Sequence, residues 1–445
     1  MEQVTSTAGI HGYFVQNRVW FKGLLIGMLI LLMLIPAAFV SNLVQERAAR
    51  QEEVAREVSS KWAGAQTVTG PVLVVPYYVV STDEKGETSR TVRQAYFLPD
   101  KLGISCSLRP EVRHRSLYDV TLYRSQIRLD GAFTPPDIRR LQLAPEQMIW
   151  EDARLLVGIG DARGLEEEIS LSWNNDIRQM EAGIPANEAV QHGLNAPVAI
   201  DAQTPVRFSM DIRLKGSGHL YLTPAGKTTN VVMSAPWKDP AFDGQYLPSE
   251  TPSVSEKGFT ARWKIMDVSR SYPQSWKDGS YDIGAAAFGV KLLQPVDSYA
   301  KTDRSVKYAL LFISLTFAVF FFLEIRQKKQ IHPLQYILVG FALCIFYTLL
   351  LSVSEYTGFN PAYAIAATAT VLLVGMYTWS IFRSRKTGLG FSLALTMLYA
   401  YIFILIQLQD YALLFGSIGL FCILAGMMYY SRKIDWYHTG KQSAG

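Results

Sequence analysis

"GLLIGMLILLMLIPAAFVSNLV" (Gly23–Val44) carries no charged residue. About 20 apolar residues in a helix cross a hydrocarbon core of ~30 Å. A cleaved signal peptide has a shorter apolar centre and a small-residue exit, and here a polar segment precedes the run, so it reads as an uncleaved membrane anchor. From residue 45 to 305 no comparable run occurs. Five then follow closely, over 306–325, 334–353, 361–382, 388–407 and 411–430. The chain therefore reads as six spans with a large aqueous insertion after the first.

Lys and Arg in short loops set the orientation of such a chain. Arg18 and Lys22, then Arg326, Lys328 and Lys329, then Arg383, Arg385 and Lys386, then Arg432 and Lys433 all fall on one face of a six-span arrangement. The alternate loops, "VSEYTGFN" and "LQDY", hold none. The basic face is the cytoplasmic one, which puts both termini inside and residues 45–305 outside. The expected organisation is a cytoplasmic N-terminus (1–22), a first transmembrane helix (23–44), a juxtamembrane helix (45–63), a periplasmic β-rich domain (64–305), a five-helix transmembrane bundle (306–430) and a cytoplasmic tail (431–445).

Composition narrows the chemistry. Of 445 residues 49% are hydrophobic, too many for an ordinary soluble protein and too few for spans alone. A net charge of +5, without a basic run interleaved with aromatics, gives no reason to expect nucleic acid. Cys106 is the one cysteine in the polar region, beside Cys344 and Cys422 in apolar runs. No CxxC, HExxH or Gly-x-Ser-x-Gly pattern occurs, so neither a metal nor another cofactor is expected, and no catalytic residue is nominated. Gly226-Lys227-Thr228 looks like the end of a phosphate-binding loop. Such a loop needs a glycine five residues earlier, where Tyr221 stands, and a periplasmic domain meets no ATP pool. It reads as a turn between strands, and no nucleotide is expected.

Immediately after the first span, Val44, Ala48, Gln51, Ala55, Val58 and Trp62 recur at helical spacing. Glu46 and Arg50, Glu52 and Arg56, and Glu57 and Lys61 are acid-first pairs at i,i+4, which favour helix. The first span thus continues outward and stops near Gly64. Beyond it the period changes to two. In "PVRFSMDIRLKG" Val206, Phe208, Met210, Ile212 and Leu214 alternate with Arg207, Ser209, Asp211, Arg213 and Lys215, one face buried and one wet. Shorter alternations occupy Ile127–Phe133, Ile169–Trp173 and Phe259–Ile265, and "TPPDIRRLQL" suggests one short helix capped by Thr134. The expected fold is a membrane α+β protein: six transmembrane helices with a large, mainly antiparallel β domain inserted between helices 1 and 2.

Several blocks resemble one family. "TGPVLVVPY" (Thr69–Tyr77), "GIGDARGL" (Gly158–Leu165), "SAPWKDPAFDGQYLP" (Ser234–Pro248), Phe288–Glu324 and His332–Ala367 are similar to the CreD family of bacterial inner-membrane proteins. The resemblance implies a role in cell envelope integrity within a stress regulon, and supplies no reaction and no catalytic residues.

Two loops hold the candidate interaction residues. Asp161 and Arg163 lie among the glycines of "GIGDARGL", as a ligand site or as a pair tying the loop down. Trp237, Phe242 and Tyr246 lie in a proline-rich loop that suits a partner or packs by its own aromatics. In the spans, Glu324, Glu355 and Asp410 fall at ends, where water is expected to reach them, and none falls at a centre. The leading expectation is a protein that binds membrane lipid, peptidoglycan or another envelope protein. A transporter or flippase of an envelope component is the second reading and a periplasmic hydrolase the third. Single cysteines introduced at Ser384 and Thr357 test the orientation: an impermeant thiol reagent added to intact cells should label position 357 and not 384. Labelling at 384 would reverse it.

Overall fold

The computed structural model describes residues 18–82, 88–184, 190, 192–201, 203–277, 281–292, 298–327, 329–408 and 411–432. Asp410, and Lys328 and Lys433 of the basic loops, lie outside the described residues. Two compact units emerge: Met1–Gln51 with Val296–Gly445, and Glu52–Pro295. Among the described residues six helices are long and apolar enough to cross a membrane.

In the first unit, helix α1 (Arg18–Trp62) carries the first span and runs on without a break into the second unit. A short helix, α2 (Ser298–Lys307), precedes the second span, α3 (Ala309–Gln327). This span starts three residues later than its hydropathy suggests. Lys307 forms an i,i+4 ion pair with Asp303 (2.7 Å) and so belongs to the polar helix before it. Helices α4 (Pro333–Thr357), α5 (Phe359–Phe382), α6 (Arg385–Gln407) and α7 (Ala412–Ser431) complete the set.

The bundle interior is aromatic. The Phe312 ring lies 4.7 Å from that of Tyr399, Phe346 lies 4.8 Å from Tyr399 and 4.9 Å from Tyr347, and Phe320 lies 5.1 Å from Tyr336. Tilted and edge-on rings at these distances attract beyond the area they bury. Helix α1 reaches α4 through a missing side chain. A Cβ at Gly340 would stand 2.6 Å from the Met33 sulfur and 3.1 Å from the Phe317 ring. Small residues at such crossings let helices approach where lipid offers no hydrophobic drive. Helix α7 is peripheral and touches α6 where Gly419 receives the Tyr401 ring, whose hydroxyl donates to the Phe415 and Gly416 carbonyls (3.2 and 3.1 Å).

The second unit contains two sheets. The first has the order β13 (Pro240–Gly244), β17 (Phe288–Leu292), β11 (His219–Leu222), β1 (Gln66–Thr82), β5 (Arg154–Ile159), β9 (Gly193–Pro197) and β8 (Glu181–Ala182); β2 (Thr88–Phe97) branches from β1 and carries β16 (Ser275–Lys277). The second has the order β14 (Ser253–Ser255), β15 (Gly258–Met266), β12 (Thr228–Ala235), β3 (Lys101–Arg115), β4 (Tyr118–Phe133), β10 (Val206–Ser217), β6 (Ser170–Trp173) and β7 (Asp176–Gln179). Only the β1–β11 and β3–β12 pairs are parallel; the other described pairs are antiparallel. One apolar cluster takes side chains from both sheets, including Val72, Leu155 and Val290 from the first and Ile104, Leu129 and Ile212 from the second.

The alternation read in "PVRFSMDIRLKG" is the burial pattern of β10. The Gly-Lys-Thr turn carries the chain from β11 in one sheet to β12 in the other. The Gly226 amide donates to the Thr229 hydroxyl (2.9 Å) and the Lys227 amide to the Pro99 carbonyl (2.8 Å), so these donors serve the turn. The helix expected at "TPPDIRRLQL" is a single 3-10 turn, Ile138–Leu141, and Thr134 does not cap it. The Thr134 hydroxyl and amide both donate to Asp100 instead. Two consecutive prolines, which lack amide protons, and Gln142 in the left-handed region (φ 55°) leave room for no more than one turn.

The close crossing at Gly340 yields a prediction. Gly340→Leu overpacks the contact and should cost about 1–3 kcal/mol, read as a lower melting temperature of the detergent-solubilised protein. Met33→Ala should recover part of that loss in the double variant, because the two side chains share one space. Independent, additive losses would refute the contact.

Candidate functional site

The end of α1, from Glu52 on, belongs to the second unit and is fastened within it. Val44, Val54 and the partly buried Gln51, Ala55, Val58 and Trp62 form its inward stripe. A helix ends with unpaired carbonyls, and the amides that follow also need partners. Here both come from side chains distant in sequence. The Gly64 amide donates to Asp161 Oδ2 (2.8 Å), the Ser217 hydroxyl to the Ala63 carbonyl (3.0 Å) and Arg163 Nη1 to the Ser60 carbonyl (2.6 Å).

Gln66, fully buried, binds the pieces together. Its Nε2 donates to the carbonyls of Asp161 (3.0 Å) and Lys215 (2.9 Å), and its Oε1 accepts from the Asp161 amide (3.0 Å). The first residue of β1, the loop after β5 and the end of β10 are thereby joined through one amide. The third glycine of "GIGDARGL" is required by this arrangement. A Cβ at Gly164 would stand 2.4 Å from both Gln66 Nε2 and the Lys215 carbonyl.

Asp161 also accepts from Arg163, through its backbone amide (3.1 Å), Nε (2.9 Å) and Nη2 (2.7 Å). The Arg163 guanidinium, with help from the Gly64 and Arg163 amides, holds the Asp161 carboxyl down to about 2. Above this knot the Trp62 ring faces three cations: the Arg113 guanidinium at 4.1 Å, the Lys215 ammonium at 4.8 Å and the Arg124 guanidinium at 5.4 Å from its centroid. Arg115 adds an ion pair to Glu57 of the helix (2.8 Å). Asp161 and Arg163 were legible as an opposite-charge pair. Gln66 and Ser217 were not, because a polar residue at the start or end of a strand carries no pattern.

Trp237, Phe242 and Tyr246 lie apart from that knot, partly buried against the apolar core. Phe242 meets Phe259 and Trp263 edge-on (5.5 and 6.0 Å). Tyr246 meets Phe288 edge-on (5.9 Å), donates its hydroxyl to the Ser269 carbonyl (2.8 Å), and its carbonyl accepts from Trp263 Nε1 (3.2 Å). The aromatics seat this segment, and the residues it offers outward include Lys238, Asp239 and Leu247.

Beside it, Asp243 accepts from Lys291 and from the Tyr221 hydroxyl (2.7 Å), and the His219 ring stacks on Tyr221 (4.1 Å). Lys291 and Tyr221 hold the Asp243 carboxyl well below its ordinary value. Burial, then the Lys291 ammonium, hold the His219 imidazole below its own. Four titratable groups converge, but the carboxylate that would act as a base is already committed to two donors.

The family model described as "Inner membrane protein CreD" matches residues 18–437. Inner membrane protein CreD of Escherichia coli (strain K12) is 31% identical over 417 residues, which cover 92% of this chain and 91% of that protein. The chain belongs to the CreD family.

This CreD-family chain is an inner-membrane protein, and in its membrane unit Glu324 and Glu355, near span ends, are partnered. Glu324 is buried, which corrects the expectation that water reaches it. It pairs with Lys22 and accepts from the Ile331 amide (3.0 Å) and the Tyr336 hydroxyl (2.8 Å), while Lys22 also donates to the Ile331 carbonyl (2.8 Å). At the opposite end Glu355 accepts from Tyr299 (3.1 Å), with Arg47 at 4.0 Å. An almost wholly apolar hollow of about 360 Å³ opens between α3, α6 and α7, lined by residues such as Leu315, Val319, Leu398, Tyr401 and Cys422.

Asp161 gives a test of the junction. Replacing it with Ala strips several donors of their acceptor and should cost about 1–3 kcal/mol. Because its folded-state value is depressed, the stabilisation is complete above the ordinary carboxyl value of 3.8 and disappears as pH falls through about 2. Thermal unfolding of the detergent-solubilised protein should therefore separate wild type from Asp161→Asn at neutral pH, and the gap should narrow below pH 4 and close as pH falls through about 2. A gap that persists unchanged into acid would remove the carboxylate from the junction.

Proposed function

We propose that this CreD-family chain contributes to cell envelope integrity and the envelope stress response by holding a binding domain, residues 64–305, on the periplasmic side of the inner membrane. What carries this reading is the junction. The first span and the domain share one unbroken helix, and its end is fastened by Gln66, Asp161, Arg163 and Ser217. A domain that begins on the membrane helix itself is suited to engaging an envelope component, peptidoglycan or another envelope protein. Asp161 and Arg163 act in it as fasteners, and the surface beside Trp237, Phe242 and Tyr246 is where a partner is sought. The reading includes no enzymatic step and no cofactor.

One observation favours a second reading. The apolar hollow between α3, α6 and α7 suits a lipid chain, as a transporter or flippase of an envelope component requires. Against it, among the described residues the spans hold no charged group at their centres, where coupled transporters place ion sites.

The test is photo-crosslinking in growing cells, with the reactive group at Lys238, Asp239 or Leu247. The expected result is one discrete adduct with an envelope component, seen from at least two of the three positions and missing from Asn230 on the other sheet. Proteins that accumulate and protect the envelope, yet yield no adduct at any of the three, would refute this surface.

A further inference from the structure

The outer face of the eight-stranded sheet divides into a matched part and an unmatched one. Over much of it arginines face carboxylates: Arg124 with Glu166 (3.2 Å), Arg213 with Glu167 (3.2 Å), Arg128 with Asp211 (4.0 Å) and Arg262 with Glu250 (3.7 Å). At one end the pattern stops. Lys101 of β3 and Arg207 of β10 both stand opposite Ala132 of β4, one on either side. Among the described residues neither side chain has an ion pair or hydrogen bond. With strands about 4.8 Å apart, the two Cα atoms are about 10 Å from each other.

Between these cations the surface sinks. Ala132, the residue between them on that face, carries only a methyl group. The hollow measures about 370 Å³, within the range of about 300–1,000 Å³ typical of small-molecule sites. Its walls carry polar groups that the fold leaves uncommitted. Ser209 faces Asp130 on β4 and Ser172 on β6, so that these three side chains form the next row on the same face. Neither hydroxyl nor the Asp130 carboxylate has a hydrogen-bond partner among the described residues. Asn174, at φ 53°, spends its carbonyl oxygen on the Arg207 amide (3.0 Å), which leaves its two amide protons over.

A hollow with two cations, one carboxylate, two hydroxyls and an amide donor, all unspent, presents the groups that recognise a ring bearing several hydroxyls and one anionic substituent. Cations paired with that substituent make the strong, charge-assisted bonds. The serines, Asn174 and Asp130 answer the hydroxyls.

We propose that this hollow is a binding site for an acidic saccharide unit, a pyranose carrying a carboxylate or a phosphate. The inference deepens the binding role proposed above and rests on it, but it concerns a different face from the Lys238–Leu247 surface.

Saturation-transfer NMR on the full-length protein in detergent tests it, with four probes: N-acetylmuramic acid, glucosamine 6-phosphate, neutral N-acetylglucosamine and inorganic phosphate. The expected result is saturable binding of one or both acidic sugars, about tenfold or more tighter than the neutral one, and lost in Lys101→Ala/Arg207→Ala. The acid that binds identifies the substituent. Ala132→Phe, which fills the hollow and leaves both cations, should abolish binding as well; an unchanged melting temperature in each variant separates loss of the site from loss of the fold. Binding of inorganic phosphate as tight as that of the sugars would reduce the site to an anion contact and overturn the proposal. So would equal binding of the neutral sugar, binding that survives in the double variant, or no binding of either acid. Any of these leaves the envelope-binding reading to the crosslinking result, which does not involve this face.

Discussion

The buried amide of Gln66 is the constraint on which the second unit depends. A helix of 45 residues that carries a membrane span ends at Trp62, and the first sheet begins four residues later. Between them the backbone must leave helical geometry without abandoning its polar groups in an apolar interior, where an unpaired one costs about 1–3 kcal/mol. Gln66 answers with two donated bonds and one accepted, Asp161 with its carboxylate, and Ser217 with its hydroxyl. Each comes from a different part of the chain, so the joint closes only when β1, the loop after β5 and the end of β10 are together. The glycine at 164 follows from the same constraint, as do the cations over Trp62, which cover the joint from the solvent side.

The architecture was legible because hydropathy and periodicity are strong over long segments. Six long apolar runs gave six helices, and the strict alternation of Val206–Leu214 gave a strand with the expected buried face. What was not legible depended on contacts between distant residues. The start of the second span was misplaced because Lys307 answers to Asp303 rather than to the apolar run after it. The helix at residues 134–143 became a single turn because Thr134 bonds Asp100, some thirty residues earlier. Val54 was missed on the helical stripe, since the step from Gln51 to Ala55 skipped it.

The candidate residues divide by what their neighbours ask of them. Asp161 and Arg163 could be recognised as a pair, but the Gly64 amide and the Ser60 carbonyl that they serve carry no sequence signal. Trp237, Phe242 and Tyr246 announced an aromatic loop; all three pack against the core, and the rings of Phe242 and Tyr246 turn onto Phe259, Trp263 and Phe288. The hollow at Lys101 and Arg207 was hidden altogether. In the sequence those two residues are ordinary wet positions of alternating strands, and only the register against Ala132 brings them opposite one another.

Lys22 and Glu324 meet although they stand 302 residues apart. At about 5–20 residues per second, the ribosome needs roughly 15–60 s to make the second after the first. Throughout that interval Lys22 and Met33 have neither Glu324 nor Gly340 to meet. The partnership with Gly340 and Glu324 can form only after the whole intervening domain has been synthesised.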